Sequence, residues 1–465
     1  MEPASVALIG LSRRTGPGSY NVLENMLEYG FPGKIIPINP SADEILGVKA
    51  WPSVQAVPEP IDLAVISLPR DLVLGTVAEC LAAGIKAIIV VTQGFGDADA
   101  TGRAMQAEMV ALARQNGARI LGPNTLGVVN NYNRLTTSFM PLVREKSPVG
   151  LICQSGVFFV GADNFSGQIG KGIDLGNACD IGFCEALEYL GDDPDIKIVA
   201  IHMEGLERTR EFLSIAARVS REKPVLVFKT GKSETGARAV ASHTGALAGH
   251  YRIYEAALKQ AGVLFLDQDW QMSQAVRTLL HQPPMRGDRV AVITVTGAGG
   301  IMVSDAFEKY GLRLATLEDR TIQAVADLSP EWMPLGDPLD LWPAVMRHGL
   351  REVYPVALKA VMNDPGADAV LIMSIAPDLP RFEFLDVSEG VNRVLTGDMD
   401  KPVIAWLYGP NRAQVGPRFE SEDKITVYRS IEQAAWSLGL LRARGKFLER
   451  IAASDESVDF SLGRG

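Results

Sequence analysis

The segment Ala239-Val240-Ala241-Ser242-His243-Thr244-Gly245-Ala246-Leu247-Ala248-Gly249 places one histidine among small residues. Almost nothing there is bulky enough to pack over the imidazole as core. A loop rich in Gly and Ala allows close backbone approach and movement. An imidazole in such a loop can act as a nucleophile, and its most natural covalent intermediate is phosphohistidine. A nucleophilic ring must be held in one tautomer, and a carboxylate is the usual orienter. The apolar run Ile196–His202 leads into Met203-Glu204-Gly205, which puts Glu204 at the carboxyl end of a strand. Taken without the histidine, Glu204 reads as a solvated or capping acid; taken with it, as the orienter. His202, His250, His281 and His348 lack such a setting and read as structural.

Other turns carry weaker signals. Gly10-Leu11-Ser12, with Gly16 and Gly18 following, lies between an apolar run and a helical pattern. Such a turn either brings backbone N–H groups to a phosphate or is simply a tight connection. Its spacing is not GxGxxG. Thr92-Gln93-Gly94-Phe95 and Gly122-Pro123-Asn124 close two further apolar runs, so three polar turns share one sheet edge, where ligands bind in open α/β folds. Cys153-Gln154-Ser155-Gly156 ends a strand before the apolar helix that starts at Val157. Ser155 can cap that helix and leave free N–H groups for an anion, or only cap it.

Alternating strands and helices must hold these turns. Short continuous apolar runs such as Ala87-Ile88-Ile89-Val90-Val91 predict an α/β chain with parallel sheets buried on both faces. Strands are expected at Val6–Ile9, Lys34–Ile38, Leu63–Ser67, Ala87–Val91 and Arg119–Leu121. The crossover helices are expected near Asn21–Tyr29, Leu72–Ala83 and Ala104–Gln115. A second set is Val149–Cys153, Ile196–His202, Val225–Phe228 and Val263–Leu266. A third is Arg289–Val295, Ala369–Met373 and Val403–Leu407. Polar and Pro-marked linkers set boundaries at 1–145, 146–284 and 285–452, with 453–465 as a flexible tail.

The 465 residues carry a formal charge of −10, which argues against a broad nucleic-acid footprint. Hydrophobic residues make up 47%, which excludes bulk disorder. No run of about 18 apolar residues predicts a membrane span. The N-terminus does not read as a signal peptide. Cys80, Cys153, Cys179 and Cys184 make no CxxC pair, so no metal site is expected, and buried reduced thiols in a cytoplasmic protein are.

The ordered strings Ile9-Gly10-Leu11-Ser12, Pro37-Ile38-Asn39-Pro40, Gly122-Pro123-Asn124, Gln154-Ser155-Gly156, Gly176-Asn177, Glu204-Gly205 and Ser242-His243-Thr244-Gly245 resemble one family. It is the nucleoside-diphosphate-forming acyl-CoA synthetases: the α subunit of succinyl-CoA synthetase and, more closely, that of ADP-forming acetyl-CoA synthetase. The match runs from about residue 5 to 265. Thr296-Gly297-Ala298-Gly299-Gly300 and Asp337-Pro338-Leu339-Asp340 more loosely resemble its third module. The resemblance implies a Rossmann-like CoA-binding domain followed by two flavodoxin-like, succinyl-CoA synthetase-like domains. CoA, a substrate, would bind at Gly10, Ser12, Asn39, Pro40, Pro69, Gln93, Gly94, Pro123 and Asn124. His243 would carry the phosphoryl group to a small carboxylic acid, with Glu204 orienting it and Ser155, Gly156, Thr244 and Gly245 holding the phosphoryl oxygens.

The chain departs from the family pattern at Ser41, where a basic residue is common, so CoA phosphate contacts would shift to Arg13, Arg14 or Lys34. Phe158 and Phe159 replace smaller residues; they either reshape the acyl pocket or pack the helix. Nothing after Phe265 resembles an ATP-grasp module, and Thr296–Gly300 is too short for a P-loop and has no Lys-Ser/Thr. ATP, ADP and Mg are therefore expected at a separate ATP-grasp β subunit, in a homo- or hetero-oligomer. A non-catalytic CoA- or acyl-CoA-binding protein is the competing reading. A nicotinamide oxidoreductase is disfavoured because Asn39, not an acid, ends the second strand.

Overall fold

The computed structural model describes residues 1–462 except 12–13, 17–18, 20, 141–143, 237, 239–250 and 333–334, and only the backbone for 454–462. His243, Thr244, Gly245 and Ser12 lie outside the described residues. The chain forms two compact units, Met1–Val276 and Arg277–Gly465.

The first unit holds two large sheets. In the first, five parallel strands run in the order Lys34–Ile38, Ser5–Ile9, Leu63–Ile66, Ala87–Val90 and Arg119–Leu121. Ile88, Ile89 and Val90 are buried, as a sheet covered on both faces requires. Helices Val22–Tyr29, Arg70–Ala82 and Ala100–Gln115 make the crossovers. The third starts earlier than the apolar periodicity indicates because Asp99 caps it, accepting the Gly102 N–H at 2.6 Å.

The second sheet runs in the order Leu264–Leu266, Val225–Lys229, Ile198–Met203, Val149–Cys153, Lys171–Asp174, Val128–Asn130 and Leu135–Thr136. The last two strands precede the expected boundary at 145, yet Val128–Asn130 pairs antiparallel with Lys171–Asp174. The chain therefore crosses between sheets just after Gly122-Pro123-Asn124. Strand Lys171–Asp174 was not legible as a strand because it carries two charged residues. Burial is tolerated at Lys171 because its Nζ meets Asp193 at 2.6 Å and Asp195 at 3.1 Å. One apolar cluster joins Leu8, Val65 and Leu121 of the first sheet with Ile152, Ile201 and Val227 of the second. Two domains in sequence are thus one body in space.

In the second unit, parallel strands run Arg313–Leu314, Arg289–Thr294, Ala369–Ile375, Val403–Tyr408 and Thr426–Tyr428, with Leu339–Asp340 pairing to Arg289–Thr294. Helix Ile431–Leu462 continues through most of the segment expected as a flexible tail.

Asp337 in this unit makes a pH prediction. One carboxylate oxygen accepts the Val292 N–H at 3.2 Å and the other is buried without a hydrogen bond. Burial pushes its pKa from 3.8 up to about 7. The folded state then binds more protons than the unfolded state between about pH 4 and 7, so stability falls as pH rises through that window. The whole effect is of the order of a few kcal/mol. Asp337→Asn is expected to flatten the slope, seen as a smaller difference between apparent Tm values at pH 5 and pH 8.

Candidate active site

The turns singled out in the first sheet all leave the carboxyl ends of its strands, and local geometry explains their residue types. Gly10 has φ +85°, and a Cβ there would lie 2.3 Å from the Ser67 carbonyl oxygen, so only glycine lets these strand ends close up. Asn39 accepts the Ser41 N–H at 2.8 Å and donates its own N–H to Trp51, which shapes the Asn39-Pro40 turn. Pro69 precedes helix Arg70–Ala82 at its N-cap. Gly94 (φ +100°) donates its N–H to Asp97, and its carbonyl accepts Arg70 Nη1 at 2.8 Å. Asn124 sits at φ +60°, its N–H bound to the Thr92 carbonyl. Lys34 does not reach this edge: it opens its strand at the amino end and pairs with Glu59.

Ser155 differs from expectation. It is the N-cap residue by position, but its side chain makes no capping hydrogen bond. The helix is a five-residue turn, Gly156–Val160, interrupted at Gly161 before Ala162–Phe165. Phe158 and Phe159 are buried, and Phe158 stacks on His202 with centroids 3.7 Å apart. Burial, then the Lys229 charge, lowers the His202 pKa to about 3, so this ring is neutral packing.

Gln154 joins the two central strand ends. Its Oε1 accepts the N–H groups of Glu204 at 2.7 Å and Gly205 at 3.0 Å. Lys229, 1% exposed, donates from Nζ to the carbonyls of Glu204 at 2.7 Å and Thr230 at 3.1 Å. Burial pulls the Lys229 pKa down and the Glu204 charge opposes this. Glu204 is itself buried, so its position is held through its backbone from two sides. In sequence, His243 falls between strand Val225–Lys229 and helix Tyr251–Gln260.

A cleft of about 490 Å³ runs from the first sheet's edge to the second. Gln93 and Asn124 line it from one side, Gly156 and Asp174 from the other. Gly10, Asn39, Pro40, Pro69 and Glu204 are not among its lining residues. Asp174, Gln154 and Lys229 stand at these strand ends, and the sequence assigned none of them a role of its own. Gln154 stood inside a family string, while Asp174 ended a strand that was not recognised. Among the described residues no three His, Cys, Asp or Glu side chains gather as a metal site, and no helix is long and apolar enough to cross a membrane.

Comparison with known proteins places this geometry. Residues 4–131 match the CoA binding domain family and residues 146–279 the succinyl-CoA ligase like flavodoxin domain family. The α subunit of acetate–CoA ligase [ADP-forming] II from Pyrococcus furiosus is 34% identical over 93% of this chain and 94% of its own length. The chain belongs to the ADP-forming acetate–CoA ligase family. It also matches acetate–CoA ligase [ADP-forming] II of Archaeoglobus fulgidus, 36% identical, over 79% of this chain and only 56% of that relative's length. Among solved structures, the dinucleotide forming acetyl-coenzyme A synthetase 1 of Ca. Korarchaeum cryptofilum, in complex with phosphate and ADP, superimposes with a TM-score of 0.86. It has 32% identity and 97% of both chains is covered. Within this ligase family the first sheet is the CoA-binding domain, and the second is the succinyl-CoA ligase-like flavodoxin domain. The structural match extends across the third sheet as well.

Proposed function

We propose that the chain is the α-type catalytic subunit of an ADP-forming acid–CoA ligase that works with a separate ATP-grasp β subunit in the cytoplasm. ATP and Mg act at the partner, and the phosphoryl group is carried on His243. It passes to a small carboxylic acid, and the CoA thiol then attacks the acyl phosphate. The observation that carries this reading is the match to an α subunit over 94% of that subunit's length. Phosphoryl transfer needs positioning and anion stabilisation more than covalent chemistry from the protein. The cleft supports this by bringing the CoA-side Gln93 and Asn124 to Gly156 of the phosphoryl-side turn. Ser155, Gly156, Thr244 and Gly245 take the phosphoryl group, and Glu204 orients His243. CoA lies along Gly10, Ser12, Asn39, Pro40, Pro69, Gln93, Gly94, Pro123 and Asn124.

A non-catalytic CoA-binding protein needs neither His243 nor a buried glutamate held by Gln154 and Lys229. The test is incubation with the cognate β subunit and γ-labelled MgATP. An acid-labile label on this chain, discharged by acetate with CoA, is expected. CoA binding without any label would establish the non-catalytic reading instead.

A further inference from the structure

Thioester formation requires the CoA thiol to lose its proton, and the proposed function names no group to take it. The cleft between the CoA-binding edge and the Gln154-Ser155-Gly156 turn contains one ionisable side chain among its described lining residues, Asp174. The rest of that lining is uncharged: hydroxyls and amides such as Thr92, Gln93 and Asn124, and apolar groups such as Leu68 and Phe139. Asp174 closes strand Lys171–Asp174, beside the strand that ends in Cys153. A Cβ built on Gly156 would lie 4.0 Å from its Oδ2, so the carboxyl faces the phosphoryl-side turn.

We propose that Asp174 is the base that accepts the CoA thiol proton as sulfur attacks the acyl phosphate. The inference rests on the ligase reading above. The S–C bond forms, the C–O bond to phosphorus breaks with its electron pair leaving on phosphate, and the proton passes from sulfur to the Asp174 carboxylate. Water or the departing phosphate then takes that proton and resets the acid.

Both carboxylate oxygens of Asp174 also accept hydrogen bonds from the turn and strand around them. Asp174 Oδ2 accepts the Leu126 N–H at 2.7 Å, and Oδ1 receives the Gly176 N–H at 3.4 Å and the Cys153 thiol at 3.7 Å. An asparagine would keep the acceptor for Leu126 but turn an NH2 group toward the Gly176 N–H and the Cys153 thiol. No Lys, Arg or His forms an ion pair with this carboxyl among the described residues. The titratable group packed on it from the neighbouring strand is the Cys153 thiol, itself held protonated by burial. Burial raises the Asp174 pKa to about 6, opposed by its N–H donors. A base in that range is ionised at neutral pH yet basic enough to assist a thiol.

The test uses the complete enzyme with its β subunit, ATP and acetate, and captures the acyl phosphate with either CoA or hydroxylamine, an amine nucleophile that needs no protein base. Asp174→Asn is expected to keep hydroxamate formation within about twofold while thioester formation falls about 10²-fold or more, the usual scale of general-base catalysis. The KM for CoA should stay within about threefold. The wild-type acid limb near pH 6 in thioester formation should vanish in the variant. Equal loss of both products would make Asp174 a structural clamp on the Leu126 turn and overturn the proposal. Unchanged thioester formation overturns it as well. A wild-type enzyme that yields neither phosphorylated chain nor hydroxamate removes the ligase reading, and the proposal with it.

Discussion

His243→Asn leaves no acid-labile phosphate on the chain and abolishes acyl-CoA synthesis, a loss of at least about 10³–10⁴-fold, because removing a nucleophile leaves only binding and orientation. Asparagine is the informative replacement, since it keeps a polar side chain of similar reach among small neighbours in the sequence. CoA binding should persist, because the turns proposed to bind CoA leave the first sheet. Glu204→Gln grades the effect. Gln154 and Lys229 hold this position through backbone N–H and C=O groups, so the amide variant keeps its placement. It loses the charge that favours the correct imidazole tautomer and stabilises the ring when positive. Phosphorylation should fall about 10–10²-fold with the KM for CoA unchanged, measured by label incorporation and CoA titration. If CoA affinity fell in parallel, Glu204 would be a folding residue and not the orienter.

Gly176→Ala is expected to destabilise the fold strongly. Gly176 has φ +53°, and a Cβ there would lie 2.4 Å from the carbonyl oxygens of both Pro123 and Asn124. Two backbone atoms must give way, and they belong to the turn that lines the cleft. Left-handed strain adds about 1–2 kcal/mol and overpacking about 1–3 kcal/mol. A total of roughly 3 kcal/mol lowers the apparent Tm by about 6–12 °C for a unit of this size. The same displacement is expected to pull Asn124 away from Thr92 and to weaken CoA binding, read by CoA titration. Gly167→Ala is the matched control: it has φ +71° but nothing within 4 Å of the added Cβ. It should show the strain alone. Equal melting shifts in the two variants would mean that the Pro123-Asn124 turn yields freely.

Much of the fold was legible from local pattern. Ala87–Val90 is a continuous apolar run, as are residues 198–201 and 369–373 within their strands, and burial on both faces of a parallel sheet demands that composition. The family strings were legible too, since glycine, asparagine and proline at fixed turns report backbone conformation directly. Gly10 and Asn124 occupy the left-handed region that their residue types allow.

What tertiary structure alone decided depends on partners distant in sequence. Strand Lys171–Asp174 carries a single bulky apolar residue, Ile173; its lysine is neutralised by Asp193 and Asp195, more than twenty residues on. Hairpin strands Val128–Asn130 and Leu135–Thr136 are short, and their sheet is set by pairing with that same strand. Ser155 looks like an ordinary cap, yet the packing of Phe158 on His202 accompanies a helix of only five residues. Asp174 became visible only when Leu126, 48 residues earlier, donated to it across the crossing between sheets. By itself the sequence determined the family, the parallel-sheet class and the chemistry-bearing turns, because those are written in residue types at short spacing. Only the tertiary structure decided that two sheets share one core and enclose a cleft with a buried carboxyl, because burial and hydrogen-bond partners there come from segments far apart in the chain.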